Sequence, residues 1–377
     1  MAYVTPNTAV EPREIRKATL SQNDAQALGP LQHLPGTWAN IRPEHRLIKS
    51  DGEADPFQSE GTLTGTGASD FDGRGWNLIA LPFANQVGAP YRILMNQYNE
   101  VLKFDRIDDN VPNRGFINGQ QADQKVAALD YVQQIAQIAS DDNPKSQVAG
   151  DALAAIHHEP GFFLHMKEQT IDGFNVARLA TIPHGNAATA IGKAGDPIEG
   201  KPIIPELSSF PEGAIPVPPG IDPAQFIAQA VEEQSDPSNY LFPYHFFKHN
   251  PFKGALNNNP NFPGFNTVNS NALLNFLPND IVRTTVLPLN TDVRQAGIRN
   301  IPFIEQEADA SLMRSTFWIM EREGLDSMGN PKLLLAYSQF IFLDFFARRD
   351  GVEGKIRWPH ISINVMEKIL GPNGEEL

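Results

Sequence analysis

Cysteine is absent from this chain. Its absence excludes disulfides, zinc–thiolate centres, iron–sulfur clusters, thiolate-ligated haem and c-type haem attachment. Any bound metal must therefore use His, carboxylate, Tyr or Met. Compartment stays open on this point, because a secreted protein need not carry disulfides. Basic residues are in deficit, with 30 Lys and Arg against 44 Asp and Glu and a net charge of −14. No Lys- or Arg-rich tract interrupts that balance, which argues against nucleic acid as a main partner. Long apolar runs are missing too. The best candidate, residues 333–346, is interrupted by Ser338, Gln339 and Asp344 and does not make a membrane helix. The opening MAYVTPNTAVEPREIRKATL lacks an apolar signal core, so the expectation is a soluble cytoplasmic protein.

What the chain does have is length, apolar content and loop formers. Its 377 residues suggest two domains or one elaborated domain, and its 41% hydrophobic content is enough for a large core. Thirty-one prolines and 29 glycines among scattered β-prone runs favour a loop-rich β architecture over a helix bundle. Strand character marks Gly36-Thr37-Trp38, Gly75 to Pro82, Tyr91 to Phe104, Ile281 to Leu289, Ser311 to Glu321, Leu333 to Phe346 and Ile356 to Ile369. Tight charged turns between the last of these suit an antiparallel meander closing into a barrel. A short helix is expected over Ala18–Leu28. Another is expected over 119–140, where Val126, Leu129, Val132, Ile135 and Ile138 recur every three or four residues. A third is expected over 222–234, with Asp222 as N-cap and Pro223 at the first helical position. Residues 40–74 read as a polar loop insertion, and their Gly-Thr-Leu-Thr-Gly-Thr-Gly lacks the lysine of a phosphate loop. Residues 194–220 are too rich in Pro and Gly for regular structure. Residues 236–280, dense in Asn, Pro and Phe, read as an ordered lid or interface arm in which His245 and His249 are surface residues.

The stretch IHHEPGFFLHMKEQTIDGFNVARLATIPHGN, 156–186, holds four of the nine histidines: His157, His158, His165 and His184. Two apolar arms, Phe162–Met166 and Phe174–Ile182, flank Asp172-Gly173, a hairpin signal. Pro183-His184-Gly185 ends the second arm and presents His184 at a rim. Alternation puts Gly161, Phe163, His165, Arg178, Ile182 and His184 on one mixed face. Phe162, Leu164, Met166, Ala177 and Leu179 share a uniformly apolar face, with His158 near its start. A bulge at Pro160-Gly161 would invert the early part of this assignment, so parity leaves His158 and His184 both open. No His-x-His spacing defines a non-haem metal site, and no Gly-x-Ser-x-Gly elbow is present.

Six segments together resemble one family: LGPLQHLPGTW (28–38), GWNLIALPF (75–83), HEPGFFLHM (158–166), VARLATIPHGN (176–186), LAYSQFIFLDF (335–345) and WPHISINVMEK (358–368). They look like bacterial haem-binding β-barrel proteins with a peroxidase-like, fatty-acid-binding-protein-like domain, more distantly similar to nitrobindin. In this chain residues 40–74 stand between elements that are nearly contiguous in that family. The resemblance implies one elaborated antiparallel lipocalin-like barrel over 1–377, with peripheral helices. It implies haem b, with His184 of the Ile-Pro-His-Gly motif as axial ligand and His158 or His360 as alternatives. Phe162, Leu164, Met166 and Trp38 would line the cofactor, with Trp38 closing the barrel floor. For peroxidase-like chemistry, His158 would assist proton transfer and Arg178 would stabilise the departing oxygen. The bland alternatives are a strand-end His184 bonded to a loop carbonyl, a packed His360 and a structural ion pair for Arg178; His33 and His165 read as structural. Two other functions remain open: a barrel binding an apolar small molecule or lipid without iron, and an assembly protein whose 236–280 arm reaches a second subunit.

Overall fold

A computed structural model describes residues 26–40, 46–48, 54–59, 75–82, 91–145, 155–258, 260, 262–326, 328–345 and 353–369. The strands are β1 (Gly36–Ala39), β2 (Arg46–Ile48), β3 (Ala54–Ser59), β4 (Gly75–Pro82), β5 (Tyr91–Asn113), β6 (Phe116–Ile117), β7 (Gln120–Gln121), β8 (Gln124–Asn143), β9 (Ala155–Met166), β10 (Val176–Ile182), β11 (Asn186–Gly192), β12 (Ile198–Glu199), β13 (Ile281–Asn290), β14 (Gly297–Asn300), β15 (Ala308–Leu325), β16 (Pro331–Phe345) and β17 (Arg357–Ile369). Three short α-helices accompany them: α1 (Pro223–Glu232), α2 (Phe242–His249) and α3 (Pro302–Glu307). Among the described residues, no helix is long and apolar enough to cross a membrane. The Gly-rich run at 61–67 and most of the segment expected as a first helix lie outside the described residues.

Thirteen strands form one antiparallel sheet in the order β12-β13-β15-β16-β17-β1-β5-β8-β9-β10-β11-β14, with β4 between β17 and β5 over part of their length. The sheet curls in a ring, because β11 also meets β13 at Ile191↔Asn290. Side chains add a second link, from β11 through β14 to β15: Asn186 donates to Asn300, which itself donates to Asp309 Oδ1 at 2.6 Å and the Ala310 carbonyl at 3.2 Å. A Cβ on Gly192 would lie 1.6 Å from the Pro288 carbonyl oxygen, so only glycine lets β11 and β13 come this close.

The segment expected as a helix over 119–140 is instead the hairpin tip β6–β7 followed by β8. Its partner is β5, from Ile93↔Asn143 to Asn113↔Gln124. The three-to-four spacing of Val126, Leu129, Val132 and Ile135 is accidental. Leu129, Tyr131, Gln133 and Ile135 alternate inward with period two, and two flanking ladders outweigh a weak helical pattern. The third expected helix is present as α1. Asp222 caps it by accepting from Ala224 N at 2.8 Å, and Pro223 opens the first turn.

Two apolar cores lie on opposite faces of the same sheet. Outside, the chain between 204 and 281 covers β4, β5, β16 and β17. Trp76 is ringed there by Phe252, Phe262 and Phe265, with centroids at 5.6, 5.3 and 6.2 Å. The aromatic richness of 236–280 is thus used against the chain's own sheet. Inside the ring, Trp38, Leu102, Phe104, Phe163, Phe317, Leu335 and Met366 pack together. A 3-10 turn at Gly29–Leu31 brings Leu28, Leu31 and Leu34 onto that core, and Trp38 Nε1 donates to the Leu34 carbonyl at 2.8 Å. This end of the ring is plugged. His165 belongs to the plug, with Nδ1 3.2 Å from the Ala27 carbonyl oxygen.

Candidate functional site

Strand alternation carries the interior upward from the plug. Along β5 the inward residues are Phe104, Leu102, Glu100, Tyr98, Asn96 and Leu94; along β17 they are Met366, Asn364, Ser362 and His360. Above the apolar floor lies a layer of buried polar side chains in two groups. In the first, the Glu100 carboxylate accepts from Tyr337 OH at 2.6 Å, Asn364 Nδ2 at 2.8 Å and Gln133 Nε2 at 2.7 Å. Tyr98 OH stands 2.8 Å from Tyr337 OH and 3.0 Å from the Ile363 carbonyl oxygen. Burial raises the Glu100 pKa, and these neutral donors only partly oppose it.

The second group centres on an ion pair. Arg178 Nη2 donates to Glu159 Oε1 at 2.5 Å, its Nη1 donates to Gln339 Oε1 at 2.5 Å, and its Nε donates to Tyr131 OH at 3.0 Å. Tyr131 OH in turn donates to Glu159 Oε1. The guanidinium lies 5.3, 5.8 and 5.4 Å from the ring centroids of Tyr131, Phe163 and Phe317. Burial alone would raise the Glu159 pKa. The Arg178 charge and the bonds from His157 and Tyr131 outweigh it and hold the carboxyl down at about 2. The carboxylate's other oxygen, Oε2, accepts from His157 Nε2 at 3.2 Å.

Beyond this layer the ring carries the half-buried inward residues His157, Gln339, His360 and Ser362. Between them stand Ile79, Leu94, Ile135, Ile182, Ile341 and Leu343, buried or half-buried on the same inward register. His157 sits on β9 and His360 on β17, on opposite sides of the ring. Strands β1, β5 and β8 intervene one way, and β16, β15, β13, β11 and β10 the other. Burial, with the nearby charges of His157 and His184, lowers the His360 pKa to about 3, so its imidazole is neutral at physiological pH. Among the described residues, no group of three or more His, Asp or Glu side chains is arranged to hold a metal ion.

The sequence expectations divide accordingly. The mixed face of 156–186 is the inward one: Phe163 pairs with Arg178 and both are fully buried. The uniformly apolar face points out. Phe162 is 43% exposed, and Leu164 and Met166 share its outward register, so these three do not line the interior. His158 is exposed on that outer face. It projects away from Arg178, which removes the expected His158–Arg178 pairing. His184 stands exposed in the turn between β10 and β11, near enough to His360 to act on it electrostatically. Trp38 lies in the plug, at the far end from His157, His184 and His360. The sequence motifs name His157 only as one of four clustered histidines and give no role to Glu159 or Glu100. The available signal was parity, because Glu159, Gly161 and Phe163 share one face with Arg178.

No family model and no curated protein matches the chain. Among solved structures, the crystal structure of Rv2717c from M. tuberculosis aligns with a TM-score of 0.33 and 12% identity, covering 93% of this chain and 98% of that one. A likeness at that level carries no argument.

Proposed function

We propose that the ring is a lipocalin-type β-barrel that binds haem b toward the end opposite the plug, where His360 would hold the iron. The observation that carries this reading is one residue: an inward, half-buried imidazole kept neutral by its surroundings, standing among apolar side chains. A neutral imidazole is the usual protein ligand to haem iron, and no thiolate competes in this chain. The surroundings suit the group as well. The apolar residues Ile79, Leu94, Ile135, Ile341 and Leu343 match a flat hydrophobic macrocycle, while His157 and Gln339 supply polar contacts. When bound, the cofactor would supply an iron able to take a small ligand such as peroxide. His184, on its exposed turn, is a rim residue in this reading.

The test is haemin titration of the purified protein, followed by absorption. A sharpened Soret band is expected for the native chain and for His184→Ala, and a broad one for His360→Ala. An unchanged spectrum in His360→Ala removes the ligand assignment. If the native protein gives only the broad spectrum of free haemin, the ring takes an apolar molecule other than haem.

A further inference from the structure

The outer covering holds a second group of metal-ligating side chains, apart from the ring interior. His245 and His249 stand four residues apart on α2, so one face of the helix presents both imidazoles. Their ring centroids are 4.5 Å apart. Pro243, Tyr244 and Phe247 bury another face of α2, which fixes the helix about its axis and keeps the histidines outward. Glu232 ends α1, and its Oε1 lies 3.6 Å from His249 Nε2.

Two details set this group apart from a solvated ion pair. His245 Nδ1 is 2.9 Å from the Val231 carbonyl oxygen. A carbonyl can only accept, so the proton sits on Nδ1 and Nε2 of the neutral ring keeps its lone pair. Imidazoles that bind metals are commonly oriented in this way, by a carbonyl on the nitrogen away from the ion. The second detail is the distance from His249 Nε2 to Glu232 Oε1. At 3.6 Å it is too long for a hydrogen bond, and it is close to the ~3.4 Å between neighbouring ligands of a tetrahedral zinc ion. One group stands in the way. The Lys248 ammonium pairs with Glu232 Oε2 and, with the charges of His249 and His245, holds the carboxyl below its ordinary range. With Lys248 in that position the three side chains are not arranged as a metal centre.

We propose that His245, His249 and Glu232 form a surface site for a divalent transition-metal ion of the zinc class, which displaces the Lys248 ammonium from the carboxylate. Two imidazole nitrogens and one carboxylate suit zinc, whereas magnesium and calcium take oxygen ligands. The ion would join the C-terminal turns of α1 and α2, where the helix dipoles favour a cation. It would thereby pin the outer covering of the ring. The inference stands apart from the haem reading, because none of these residues faces the ring interior.

The experiment is calorimetric titration of the metal-free, full-length protein with zinc chloride. The native chain is expected to bind one zinc ion, with magnesium failing to compete. His245→Ala and His249→Gln are each expected to weaken zinc binding by at least about tenfold, since losing even a partner one bond behind a ligand has that effect. His249 is 47% accessible, so its replacement leaves the core intact, and circular dichroism of each variant checks the fold. Lys248→Met removes the competing ammonium and is expected to bind zinc more tightly; weaker binding in that variant overturns the displacement. Zinc should also slow hydrogen exchange in α1 and α2 of the native chain and leave His249→Gln unchanged. No zinc uptake by the native chain overturns the proposal, and so does undiminished uptake by the double variant His245→Ala, His249→Ala, which would place the ion elsewhere.

Discussion

Arg178 and Glu159 face each other from adjacent strands at 2.5 Å, with 2% and 1% of their side chains accessible. A buried pair of this kind gains little net stability over an apolar substitute, but loss of one member leaves the other charge stranded. Arg178→Met is therefore expected to destabilise the fold by about 3–5 kcal/mol, read as a lower urea midpoint. The double variant Arg178→Met, Glu159→Leu should recover much of that loss. The native pair also sets an acid limit. Because Glu159 titrates at about 2 in the folded chain against 4.5 when free, its contribution is present above pH 4.5 and lost as pH falls from 4.5 toward 2. A double variant as acid-sensitive as the native protein would assign acid unfolding to other groups.

Glu100 has the opposite sign. Its carboxyl is buried among neutral donors, and its folded pKa is raised above 4.5. The unfolded chain therefore releases this proton first, and stability is fully present below pH 4.5 and falls as pH rises through the interval up to the folded value. Glu100→Gln keeps an acceptor for Tyr337 and removes the titration. The expected outcome is a variant whose stability relative to native improves between pH 4 and pH 8, measured by urea unfolding at both. A difference that stays constant with pH would mean that Glu100 does not titrate in this range.

Gly192 guards the meeting of β11 and β13. A methyl group there would overlap the Pro288 carbonyl, which belongs to a paired strand and cannot swing aside. Gly192→Ala is expected to force the two strands apart. Hydrogen exchange should then rise in β11 and in the adjoining part of β13, while β16 and β17 keep their protection. Uniform exchange across the variant and the native chain would show that the ring does not depend on this contact.

Much of the fold was legible because single-sided burial leaves a period of two. β4, β13, β15, β16 and β17 lie within a few residues of their expected limits. β8 was illegible for a physical reason: its inward positions include Gln133 as well as Leu129 and Ile135, so polarity does not follow the pleat. The same reason hid the site. Apolar Phe162, Leu164 and Met166 look like the inside of a barrel, but the ring buries Glu159 and Arg178, whose mutual pairing satisfies them, and turns the apolar trio outward. His360, the proposed ligand, stands in the sequence as one histidine of three, because the choice among them depends on which strand faces which across the ring.

The outer covering formed by residues 204–281 lies over one side of the ring alone. Strands β4, β5, β16 and β17 are gripped from both faces, whereas β9, β10 and β11 present exposed residues such as His158, Thr181 and Thr189 on their outer side. The two walls of the ring are therefore packed differently, one on both faces and the other on its inner face. His360 is mounted on the clamped wall, and His157 and His184 on the one packed from inside alone. A guest held between them would rest against a fixed anvil, and differences in its thickness would be taken up by the opposite jaw.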